Sequence, residues 1–183
     1  MLVSPFLLWY TWQLDLSDNQ LCSVNLYGCG TYDTEGITAI AGALRITGSV
    51  ILVNVLSNRL SMESASLLLK VKTEKPNLRT LCGLTHDETE LDLSRRHLGP
   101  GDAKLLAPEI LVMSSVTRVD IRHNNVAGDA ASQLSAAVLA NTKIEVFNEI
   151  PIKEMRTNSL IELNLKRKYI GVVGGMVAFV VAG

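Results

Sequence analysis

The densest group of ionisable side chains in this chain is Asp87, Glu88, Glu90 and Asp92, close enough in sequence for two carboxylates to share acid and base roles. Such a pair needs a pocket that pushes one of the two pKa values up. The sequence points instead to a solvated loop ending in one outward-facing aspartate. His86, His97 and His123 stand at comparable turn positions, with no second ligand at metal-binding spacing. No phosphate loop, nucleophile elbow or His-Glu-x-x-His is present, and Gly28-Cys29-Gly30 and Gly99-Pro100-Gly101 read as loop punctuation. The side chains therefore predict no enzyme, no catalytic residue, no cofactor and no metal. Cys22, Cys29 and Cys82 are an odd number without metal spacing; reduced thiols in a cytoplasmic protein are expected, with a Cys22–Cys29 bridge as the alternative.

The elements that must position these groups follow a recurring phrase. Leu14, Leu16, Asn19 and Leu21 reappear at the same offsets as Val53, Val55, Asn58 and Leu60, and again as Val119, Ile121, Asn124 and Val126. Two further copies replace the asparagine: Leu91, Leu93, Arg96 and Leu98, then Leu163, Leu165, Lys168 and Ile170. Alternation of two apolar residues puts both on one face of a strand. The asparagine amide stands where the strand ends and can pair with backbone groups of neighbouring turns. Behind each phrase an apolar stripe follows at i, i+3, i+4, i+7, which predicts a helix: Ile37, Ile40, Ala41 and Leu44; Ala65, Leu68 and Leu69, with Lys72 as an exception; Ala103, Leu106, Ala107 and Ile110; Ala131, Leu134, Ser135 and Val138. Before the first of these, Cys22 to Tyr32 is an insertion. Asn77 to Leu84 has the character of a strand, yet the next phrase starts too soon for a helix, so Thr85 to Glu90 is expected to be a short loop. Pro151 argues against an ordinary helical return after Phe147.

Repeats of one strand and one helix, with 28 residues from Arg96 to Asn124, resemble the leucine-rich repeats of the ribonuclease-inhibitor and NOD-like-receptor type. The resemblance implies an α/β fold: a leucine-rich repeat solenoid, or horseshoe, with parallel strands on the concave face and helices on the convex face. It covers nearly the whole of residues 1–183 as one domain, with irregular repeats near 78–98 and 143–160, and reads as a fragment or a small array. It also implies a module that binds another protein through the concave face. GTPase activators of the Ran type use such repeats with an arginine near the partner's nucleotide; Arg59, Arg95 and Arg122 are the positions here that would serve a regulator of a small GTPase.

On that face the expected partner-binding residues are Asp15, Asn54, Asp92 and Asp120, then Arg95, Arg122, His123 and Lys166, so that the surface runs from acidic to basic. The gradient fits a partner of opposite arrangement; the alternative is a hydrated surface whose charges pair across strands. Tyr27 and Tyr32, in the inserted loop, form a second candidate contact. The net charge of −1 and pI near 6.3 give no drive toward nucleic acid or an anionic membrane. The apolar amino terminus, including Phe6, Leu7, Leu8 and Trp9, lacks a basic leader region. The carboxyl-terminal run Ile170 to Gly183 is too short to span a bilayer. Both ends read as caps of the core or as packing surfaces of a larger assembly, in which the chain would be a structural subunit.

Overall fold

The computed structural model describes residues 12–25 and 27–166. Each apolar stripe of the sequence lies on a helix. The elements are β1 (Trp12–Asp15), α1 (Glu35–Ile46), β2 (Val50–Asn54), α2 (Met62–Glu74), β3 (Glu90–Asp92), α3 (Pro100–Val112), β4 (Arg118–Asp120), α4 (Gly128–Ala140), β5 (Val146–Phe147), β6 (Ile150–Pro151) and α5 (Ile152–Arg156). Val53, Leu91 and Val119 point inward from their strands and meet Ile37, Leu44, Leu68, Leu106, Ile110, Leu134 and Val138 from the helices, all buried. Each large aliphatic side chain so buried contributes roughly 1.5–3 kcal/mol. Ser61 starts α2 by accepting from Ser64 N at 3.1 Å, and Pro100 opens α3, where a missing N–H costs nothing. The start of α3 lies tight against the preceding half: a Cβ on Gly101 would stand 2.3 Å from Leu60 O.

The strands do not make the expected architecture. A leucine-rich repeat solenoid would carry one continuous parallel sheet along a concave face, with a convex helical back. The described residues instead form a mixed α/β fold of five helices and two small sheets. One sheet pairs β1 with β2 in parallel; the other has the order β3-β4-β5-β6, its last pair antiparallel. Two local causes account for this. Between Cys82 and β3 the chain is too short for a helical return. Where a full strand was expected over Asn77 to Leu84, a short extended piece hydrogen-bonds to β2, with Arg79 N donating to Ile51 O, Val53 N to Thr80 O, Val55 N to Leu81 O and Gly83 N to Val53 O. That segment is not paired with β3, and the sheet is split there. After Phe147, Asn148 and Glu149 both take left-handed backbone (φ 51° and 62°), the two-residue turn that reverses a hairpin, so the chain returns through Pro151 antiparallel. The phrase around Leu163 and Leu165 forms no strand. The descriptions repeat protein, solenoid and ribonuclease-inhibitor-like therefore do not apply to this fold. The amino-terminal residues Phe6 to Trp9 and the run from Arg167 onward lie outside the described residues.

Candidate functional site

Four strand ends and the irregular segment at Asn164 share one chemical device. Asp15, Asn54, Asp92, Asp120 and Asn164 each accept, through a side-chain oxygen, the backbone N–H two residues on: Ser17 at 2.9 Å, Leu56 at 3.2 Å, Ser94 at 2.9 Å, Arg122 at 2.9 Å and Lys166 at 3.0 Å. Thr80 does the same for Cys82 at 3.0 Å. These are Asx-type closures, in which a short side-chain oxygen replaces a ladder partner as the backbone turns. What these positions have in common is a side-chain oxygen of the right reach, not a charge.

Behind them stand the asparagine amides. The fully buried Asn58 accepts from Asn19 N (2.9 Å) and Leu21 N (3.2 Å), and donates to Leu16 O (2.8 Å), Val55 O (2.9 Å) and Leu56 O (3.2 Å). Asn124 repeats this one sheet further on, accepting from Arg96 N and Leu98 N (both 3.0 Å) and donating to Leu93 O and Ile121 O (both 2.8 Å). Sequence reasoning missed Asn148, whose buried carbonyl accepts from Ile121 N at 2.8 Å. Its only signal was the 28-residue step of Val119 to Phe147.

Of the eight face residues, the structure brings some together and separates others. Asp15 and Asn54 are in register on the first sheet; Asp92 and Asp120 are in register on the second. Arg122 is drawn into a cluster, pairing with Asp120 (2.6 Å) and with Glu149 (2.7 Å); these contacts push its already high pKa further up, the Asp120 hydrogen bond most. Arg95 and His123 are exposed on left-handed backbone (φ 55° and 60°). Lys166 is exposed as well but belongs to an irregular segment, not to a strand end. Hydrogen bonds from the Ser17 side chain and backbone hold the Asp15 carboxyl below its ordinary value, and Ser94 does the same for Asp92.

The inserted loop divides its two tyrosines. Tyr27 is 91% exposed. The Tyr32 hydroxyl is bound to the start of α2, accepting from Ser61 N at 3.0 Å and lying 2.8 Å from Ser64 Oγ. The three cysteines are unpaired thiols, Cys22 and Cys82 buried and Cys29 exposed; burial raises the first two above the ordinary thiol value.

Two buried carboxylates on α3, seven residues apart and so on one helix face, were not singled out by the sequence. Asp102 Oδ2 accepts from Gly99 N (2.7 Å) and Oδ1 from Ser57 N (2.9 Å); burial pushes its pKa up to about 6 against those hydrogen bonds. Glu109 is 1% exposed. Its Oε1 accepts from Lys72 Nζ (3.0 Å) and Leu81 N (2.8 Å), its Oε2 from Thr80 Oγ1 (2.5 Å), and His86 Nε2 lies 3.3 Å away. The break that Lys72 makes in its apolar stripe is thereby explained. Both carboxylates are spent on joining α3 to the preceding half. The acidic group at Asp87 and Glu88 is likewise local: Glu88 accepts from Thr85 N (2.8 Å) and His86 N (2.9 Å). Among the described residues no cluster of three or more His, Cys, Asp or Glu could hold a metal ion, and no helix is long and apolar enough to cross a membrane. No protein-family model matches the chain, and no curated protein is recognisably similar to it.

Proposed function

We propose that this chain is a non-enzymatic protein-recognition module that meets a partner protein with the outward face of its strands and the turns that follow them. The observation that supports this reading is the closure repeated at Asp15, Asn54, Asp92 and Asp120: it fixes the backbone at the ends of β1 to β4 and leaves Asp15, Asp92, Arg95 and His123 exposed on a rigid frame. A pre-organised polar surface loses little conformational entropy on binding. The near-neutral net charge favours a protein partner over nucleic acid, and the unpaired thiols support a cytoplasmic setting.

The test maps which face touches the partner. Glu90 and Arg118 are exposed and in register on β3 and β4; Lys70 on α2 and Ser132 on α4 are exposed on the helical side. A photo-crosslinking amino acid placed singly at each position, in the full chain and in native lysate, should give discrete protein adducts from positions 90 and 118 and none from 70 and 132. Adducts from the helical positions alone would overturn the reading. Asp→Asn exchanges are the clean follow-up, because Asn54 and Asn164 already close the same turn with an amide.

A further inference from the structure

Where the sheet splits, a groove of about 320 Å³ opens between the turn after β2 and the turn after β3. Its floor is apolar: Leu56, Cys82 and Leu93, each buried against the core, reach its surface. The turn after β3 contributes Arg95, Arg96 and His97 to the lining, and the turn after β1 contributes Asp18. The distribution of charge is uneven in a telling way. Arg118 and Arg122 have their carboxylates at Glu90, Asp120 and Glu149, whereas Arg95, Arg96 and His97 form no ion pair within 4 Å among the described residues. The turn that carries them is also rigid. Arg95 N donates to Arg122 O (3.0 Å), Arg96 N to the Asn124 amide (3.0 Å), and Arg96 O accepts from Ser57 Oγ (2.6 Å). The backbone is satisfied, and although the charge of Arg96 acts on Asp92, neither guanidinium is held within ion-pair distance of a carboxylate among the described residues.

We infer that this groove receives an acidic segment of a partner protein, with one apolar side chain seated over Leu56, Cys82 and Leu93 and flanking carboxylates paired with Arg95 and Arg96. The volume admits one or two side chains and not a folded surface, so the occupant is an extended segment. Guanidinium recognises carboxylate through two parallel N–H donors, and an apolar floor beneath lowers the local dielectric and strengthens that pairing. Asp18, the one carboxylate in the lining, disfavours a carboxylate placed beside it and so steers the acidic residues toward Arg95 and Arg96. The inference rests on the protein-recognition reading and adds the partner's chemistry to it.

The experiment is an NMR titration of the full ¹⁵N-labelled chain with an acetylated, amidated Glu-Glu-Leu-Glu-Glu peptide, and separately with Lys-Lys-Leu-Lys-Lys. The acidic peptide should shift the amides of Ser57, Leu93 and residues 95–97, and its affinity should fall at least tenfold in the Arg95→Gln/Arg96→Gln variant. Lys70→Gln/Lys143→Gln, which removes the same charge elsewhere, should stay within twofold of wild type, and Arg95→Lys/Arg96→Lys should recover part of the loss. Thermal unfolding of each variant separates lost binding from lost folding. No shift, equal shifts from the basic peptide, or undiminished affinity in a folded double-glutamine variant would each overturn the groove assignment. Since the crosslinking test reads the whole strand face, adducts from positions 90 and 118 alongside a silent titration would remove this inference alone.

Discussion

Replacing Asn58 by alanine tests the amide bridges most directly, and its magnitude can be worked out bond by bond. The substitution removes one acceptor serving Asn19 N and Leu21 N and one amide donating to Leu16 O, Val55 O and Leu56 O. The bond to Val55 O is buried, and a buried group left unpaired costs about 1–3 kcal/mol. Leu56 O keeps Asp18 N at 3.2 Å, so its bond and the three part-buried ones go at about 0.5 kcal/mol each. The sum is on the order of 3–5 kcal/mol, a large share of the 5–15 kcal/mol typical of a domain. Asn124→Ala removes the same pattern in a part-buried setting and should cost about 2 kcal/mol. Asn19→Ala removes one exposed side-chain bond, to Ser17 O, and should cost under about 1 kcal/mol. Urea unfolding followed by far-ultraviolet circular dichroism, at constant m-value, gives all three. A loss below about 1 kcal/mol at Asn58, or an inverted order, would refute the claim that these amides replace missing ladder bonds.

Three further outcomes are expected. The Asp102 pKa of about 6 lies above the unfolded value of 3.8, so the folded chain holds a proton there that the unfolded chain has lost. Its contribution is complete below pH 3.8 and disappears as pH rises through 6, about 3 kcal/mol in all; pH-dependent unfolding should show this decline in wild type and lack it in Asp102→Asn. Glu109→Ala strands Thr80 Oγ1 and Leu81 N beside Lys72 and should cost about 3–5 kcal/mol in urea unfolding; a loss under about 1 kcal/mol would show that the carboxylate is dispensable. Tyr32→Phe should lower stability by about 1 kcal/mol by freeing Ser61 N, while Tyr27→Ser, at a side chain 91% exposed, should leave the melting temperature unchanged.

How far the sequence could be read depended on whether a signal was local. The apolar stripes from Ile37 to Leu44 and from Ala103 to Ile110 mark helices, because side-chain period and backbone period coincide. The bridging roles of Asn58 and Asn124 were legible from the repeated phrase, which gave Asn19 the same role although its side chain reaches only Ser17 O. Global curvature was not: it depends on whether consecutive strands pair, and the few residues between Cys82 and β3 decided that against the repeat. The column of Asp15, Asn54, Asp92, Asp120 and Asn164 was read as charge facing a partner, when its common property is an oxygen placed to accept the N–H two residues on. Its mixture of acids and amides carried that information. Asp102 and Glu109 were invisible in sequence, since nothing local reports that an acidic residue on a helix will be buried against a distant turn.

That helix face has a consequence for how the molecule opens. Strand pairing stops between the two sheets, and α3 fastens one to the other with carboxylates on Ser57, Thr80, Leu81 and Lys72. Ladder bonds spread cooperativity along a sheet, whereas across the split cohesion rests on side chains: these carboxylates, the Gly101–Leu60 contact and the shared apolar core. Amide-exchange protection is therefore expected to fall into two classes divided near residue 85, each rising or falling as a block.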